Sequence, residues 1–131
     1  MTITLSRNLD FIPEFNGNRE LEPSEQIRVV LKNLGVGEKE TIRAQSRPTV
    51  KYDKNGNVQT MELPLGAEKD LLLRKMLVRI ENLSWQDSNG TAHPVSSFAQ
   101  LKDAPMELHE LMDEIYTHCS QLLNEEFSQK N

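Results

Sequence analysis

Cysteine is all but missing from this sequence. Cys119 is the single one in 131 residues, which excludes an internal disulfide and any metal site built on cysteine pairs. Long apolar runs are missing too. Nothing approaches the roughly 18 residues needed to cross a bilayer, no lipidation motif occurs, and Met1-Thr2-Ile3-Thr4-Leu5 has neither the basic start nor the apolar core of a signal peptide. These absences predict a cytosolic protein with no membrane contact. Basic residues are in the minority, 15 Lys and Arg against 20 Asp and Glu for a net charge of −5, which argues against a nucleic-acid footprint because phosphate binding needs clustered cations. Gly35 and Gly37 lack the Lys-Ser/Thr ending of a phosphate loop, and Gly17 precedes no helical pattern, so no nucleotide-binding loop is expected. Internal repeats and low-complexity segments are absent.

What remains is one ordinary domain, residues 1–131, long enough to bury a core without staples. Its most patterned stretch runs from Ala67 to Leu83, where Leu72, Leu73, Met76, Leu77, Ile80 and Leu83 recur at three- and four-residue steps. That spacing predicts one long helix with Asp70, Arg74, Lys75 and Arg79 on its other side, and places Leu77 and Ile80 against a second helix. The second helix opens at Pro105. Leu108, Leu111, Met112, Ile115, Cys119, Leu122 and Leu123 form its apolar stripe, opposed by Glu107, Glu110, Asp113 and Glu114. Charge is uneven along the chain: Asp103 to Asn131 holds seven acidic residues and one Lys.

The N-terminal half reads as strands. Phe11-Ile12-Pro13-Glu14-Phe15 suits an edge strand followed by an Asn16-Gly17-Asn18 turn. Gln26 to Leu34 fits both periods, and its Val-Val-Leu centre and shortness favour a strand, with a brief helix over Gly37–Ala44 behind it. Asn55-Gly56 between two alternating runs predicts a hairpin over residues 49–63, whose weakly apolar faces allow it to project as an arm. Asn89-Gly90 predicts a second turn, and Ser96 or Ser97 caps a short helix through Leu101. The expected fold is therefore α+β: small N-terminal strands and a hairpin, with two long C-terminal helices packed antiparallel.

Chemistry is sparse. Cys119 sits in an apolar stripe and reads as a small core residue, since the adjacent His118 points about 100° away on a helix. His109 with Asp113, and Glu114 with His118, have the four-residue spacing of helix-surface metal ligands, but no third ligand completes either pair. Glu125-Glu126 reads as a solvated face, and Trp85 as a packing aromatic. No catalytic constellation, cofactor or metal is predicted. Met106, Tyr116 and Phe127 are the candidate partner-binding residues, being adaptable apolar side chains on or beside the last helix.

Several segments together carry a resemblance. They are Ile80-Glu81-Asn82-Leu83-Ser84-Trp85, the acidic turn Asp87-Ser88-Asn89-Gly90, the extension His93-Pro94-Val95-Ser96-Ser97 and the Leu-rich acidic terminal helix, with Glu25-Gln26-Ile27-Arg28-Val29-Val30-Leu31-Lys32 upstream. In that order they resemble the tail assembly chaperones of long-tailed bacterial viruses. The hairpin over residues 49–63 departs from the family's simplest pattern. The resemblance implies a non-catalytic protein of the infected bacterial cytoplasm. It would keep the tape-measure protein soluble while tail-tube protein polymerises around it, and would be absent from the finished particle. A homo-oligomer is compatible with it. The opposing reading is a structural or adaptor component of the virus particle, or an unrelated regulatory protein-binding domain.

Overall fold

Three consecutive apolar residues, Val29, Val30 and Leu31, lie at the centre of the computed structural model, all buried. The structure describes residues 1–2, 8–45, 49–62 and 67–128, with side chains except at positions 45, 49, 60–62, 67 and 125–128. Strand β1 (Asn8–Phe11), strand β2 (Arg28–Lys32) and strand β5 (Leu77–Glu81) form an antiparallel sheet in the order β1-β2-β5. A central strand must bury both faces, which is why β2 reads as an unbroken apolar run and not as a clean alternation. The edge strand predicted near Phe11 exists, but it ends at Phe11 and does not begin there. Pro13 has no N–H to offer the ladder and is buried just beyond it.

Helix α1 (Val36–Gln45) follows β2, and strands β3 (Thr49–Tyr52) and β4 (Val58–Glu62) make the expected hairpin. They form a two-stranded sheet of their own, with Tyr52 and Val58 exposed. Leu63, Pro64 and Gly66, and Pro48 earlier, lie outside the described residues.

The long helix expected over Ala67–Leu83 is not one helix. Helix α2 covers Ala67–Met76, and the chain passes directly into β5. The reason is a β-bulge. Val29 pairs with Ile80, Val30 with Arg79 and Leu31 with Leu77, so Val78 is the extra residue and is exposed. Leu77 and Ile80 are three apart and would face opposite ways on a regular strand. The bulge returns both to the side of Val29 and Leu31, and a strand thereby acquires helix-like spacing. Ile80 is buried as expected, whereas Leu77 is half-buried, and both reach the core from the sheet. Asn82, at φ 63°, ends β5 in a left-handed conformation, and its amide donates to the carbonyls of Ser24 and Gln26 (3.1 and 3.0 Å).

Strands β6 (Ser84–Gln86) and β7 (Ala92–Pro94) then form a hairpin. Its turn repeats that of the first hairpin bond for bond. Asp53 Oδ1 accepts from the N–H groups of Asn55 and Asn57 (2.9 and 3.0 Å), and Asp87 Oδ1 from those of Asn89 and Thr91 (2.9 and 3.0 Å). In each, a glycine at φ near +80°, Gly56 or Gly90, donates back to the aspartate carbonyl. Asp-x-Asn-Gly is thus the local code for both turns.

Helix α3 (Phe98–Lys102) is capped by the Ser97 hydroxyl, which accepts from the Gln100 N–H at 3.2 Å. A single 3-10 turn (Met106–Leu108) after Pro105 leads into the 20-residue helix α4 (His109–Ser128). Leu108, Leu111, Met112, Ile115, Cys119 and Leu123 are buried and Leu122 half-buried, as the stripe predicts. They close a single core with Leu72, Leu73 and Met76 of α2, Ile42 of α1, Leu101 of α3 and the inner face of the sheet. The fold is α+β, with α2 and α4 packed on each other and only α4 long. Among the described residues no helix is long and apolar enough to cross a membrane.

Candidate functional site

Among the described residues after Met1, Met106 is the most exposed large apolar side chain, at 77% of its maximal surface. It sits there because Pro105 and the following 3-10 turn direct Leu108 inward and leave Met106 outward. Tyr116 lies ten residues further along, about 15 Å of helix, and occupies a different setting. Tyr116 is half-buried, the Lys69 ammonium stands 5.9 Å from its ring centre, and Lys69 also pairs with Asp113. Burial, with Glu68 nearby, pushes the Tyr116 phenol above its ordinary range, partly opposed by a hydrogen bond with Ser120. Phe127 has a helical backbone position, and its side chain lies outside the described residues. Met106 and Tyr116 therefore do not form one patch.

The residues on either side of Met106 in sequence, Pro105 and Glu107, line open grooves, two of which share Glu107 and Leu108. The first, about 400 Å³, has Phe15, Leu21, Ile27 and Leu83 on its floor and Glu25 on its rim. The second, about 500 Å³, is built from Trp85, Pro105 and Leu108 beside Asp87. No lysine or arginine lines either groove among the described residues. Three distant stretches meet here, the loop between β1 and β2, the β5–β6 connection and the entry to α4, so no sequence window contains the site. The one local signal is Leu21, an exposed apolar residue between Glu20 and Glu22.

The groove walls are held by buried polar contacts. Asn18, only 2% exposed, donates from Nδ2 to the carbonyls of Pro13 and Ile27 (2.9 and 3.0 Å) and accepts from the Ile27 N–H (2.6 Å). Its amide closes the loop that carries Phe15 and Leu21. Glu114 of α4 accepts from the N–H groups of Glu14 and Phe15 (2.6 and 3.0 Å) and fastens that loop to the helix. On the other groove, the Trp85 ring stacks on His93 at 4.2 Å, and His93 Nε2 lies 2.9 Å from Asp87 Oδ2. That hydrogen bond and those from the Thr91 and Asn89 N–H groups hold the Asp87 carboxyl below its usual range.

Three of the four residues with metal-ligand spacing are engaged elsewhere. Asp113 pairs with Lys69, Glu114 takes the loop amides, and His118 stacks on Phe11 with ring centres 4.0 Å apart. Among the described residues no three His, Cys, Asp or Glu side chains approach closely enough to hold an ion. Cys119 is fully buried, and burial pushes its thiol up to about 12, so it is no nucleophile at neutral pH. Chemically the surface offers apolar area with carboxylates around it and, among the described residues, no converging acid, base and nucleophile.

No protein-family model, curated protein or solved structure matches this chain.

Proposed function

We propose that this chain is a non-catalytic tail assembly chaperone of a long-tailed bacterial virus, acting in the cytoplasm of the infected cell. It binds the tape-measure protein and helps tail-tube protein assemble around it. The observation that supports the reading is a pair of open grooves that share Glu107 and Leu108, are part apolar and carry carboxylates, with Met106 exposed next in sequence to Glu107, because concave surface of that kind serves to hold another chain. The resemblance supplies the identity of that other chain. One of its segments is altered by the structure: the helix before Trp85 stops at Met76 and continues as a strand. The acidic turn, the proline extension, the capped short helix and the acidic terminal helix support the reading without that segment.

The rival is a permanent component of the particle. Quantitative mass spectrometry of an infected-cell lysate and of purified particles separates the two. A chaperone is abundant in the lysate and missing from particles, whereas a fixed copy number per particle would replace the chaperone reading with the structural one.

A further inference from the structure

The two grooves share Glu107 and Leu108 and carry one sign of charge, and each combines apolar with neutral polar lining. Glu25 stands over the first, Asp87 over the second, and Glu107 on the ridge between them. Asp87 is occupied by His93 and by backbone N–H groups. Glu25 and Glu107 are exposed and make no ion pair with a basic side chain among the described residues. The apolar lining is Leu21, Ile27 and Leu83 on one side and Trp85, Pro105 and Leu108 on the other, and Met106, between Pro105 and Glu107 in sequence, is exposed.

We propose that these paired grooves take a cationic amphipathic segment of the partner protein, its apolar side chains on the two floors and its lysines or arginines against Glu25 and Glu107. Charge complementarity selects this occupant. A second copy docking by a two-fold axis would bring the same carboxylates towards themselves, and like charges facing across a contact disfavour it. An acidic or uncharged segment gains the floors but leaves two carboxylates partly desolvated without a counter-charge. The assignment rests on the protein-binding reading above and adds to it where the partner sits and which chemistry it presents.

Trp85 is the only tryptophan and lines the second groove, so its emission reports occupancy. The probe is a Trp-free peptide with leucines at three- and four-residue steps and lysines between them, titrated into the full chain beside a twin carrying glutamates for lysines. The Leu/Lys peptide should shift Trp85 emission saturably and the Leu/Glu peptide should not. Glu25→Lys/Glu107→Lys should bind the Leu/Lys peptide about tenfold more weakly and gain affinity for the Leu/Glu peptide. Glu38→Lys/Glu40→Lys, the same charge change on α1, should bind like wild type. Equal binding of both peptides, or equal weakening by both double variants, would overturn the assignment. So would a concentration-dependent dimer that Met106→Glu dissolves, which would give the face to a second copy. Co-expression tells this failure from that of the chaperone reading: a groove variant that still keeps the tape-measure protein soluble removes only the groove, whereas wild type that never does so removes the chaperone.

Discussion

Replacing Asn18 by alanine removes three hydrogen bonds at once and strands three backbone groups, the Pro13 and Ile27 carbonyls and the Ile27 N–H. A hydrogen bond contributes about 1 kcal/mol net, and an orphaned buried polar group costs about 1–3 kcal/mol when dry. The first groove reaches both Asn18 and Ile27, so water can enter and solvate part of what is left. The expected loss is therefore about 2–4 kcal/mol, less than three fully dry orphans would give. That is a large share of the roughly 5–15 kcal/mol that holds a domain folded. Urea unfolding followed by far-ultraviolet dichroism measures it, and with a slope typical of small proteins the midpoint should fall by roughly 1–2 M. Asn18→Asp sharpens the test. It keeps the acceptor for the Ile27 N–H but turns a carboxylate oxygen on two carbonyls, so burial and repulsion raise its folded-state pKa. A raised acid destabilises more as pH rises, so the aspartate variant should be worse than alanine at neutral pH and recover as pH falls towards about 4. An Asn18→Ala midpoint within roughly 0.3 M of wild type would refute the claim that this amide closes the loop.

Three further outcomes follow from the same geometry. Ile80→Ala should cost about 2–4 kcal/mol while Val78→Thr on the exposed bulge stays within about 0.5 kcal/mol; similar costs in urea unfolding would contradict the placement of Ile80 inside and Val78 outside. Glu114→Ala should release the Glu14–Phe15 corner, costing about 1–3 kcal/mol and speeding hydrogen exchange at the Phe15 amide, with unchanged exchange speaking against the clamp. Because the Asp87 carboxyl is depressed in the folded chain, its contribution is present above the unfolded carboxyl pKa and is lost as pH falls through the lower folded value. The near-ultraviolet dichroism of Trp85 should therefore weaken in acid below about pH 4, and a spectrum already collapsing near neutrality would contradict the Asp87–His93–Trp85 arrangement.

The legible parts of this fold are those whose causes are local. Val29 to Leu31 announces a strand buried on both faces, Asp-x-Asn-Gly fixes both hairpin turns, Ser97 caps α3, and Leu111, Ile115, Cys119 and Leu123 trace the buried side of α4. Where a distant partner decides, local reading fails. The pattern through Leu77 and Ile80 has helical spacing only because a bulge at Val78 lets both face inward, and the neighbouring strand β2 supplies the pairing that a single helix would have left unmade. Glu114 is indistinguishable in sequence from its acidic neighbours, since the amides it holds are a hundred residues away. The candidate site was legible to the same extent. Met106 could be named as an adaptable apolar side chain at the end of the last helix. The grooves beside it could not, being assembled from three separate stretches. Tyr116 turned out to share a corner with Lys69 and not with Met106.

The central claim is that this chain keeps a tape-measure protein soluble during tail assembly. The direct measurement is the soluble fraction of a tape-measure protein when it is expressed alone and with this chain. The account predicts that co-expression moves the tape-measure protein from the pellet into a soluble complex that contains this chain and runs larger than its 15.0 kDa. A tape-measure protein equally insoluble in both cells, with this chain running free, would contradict it.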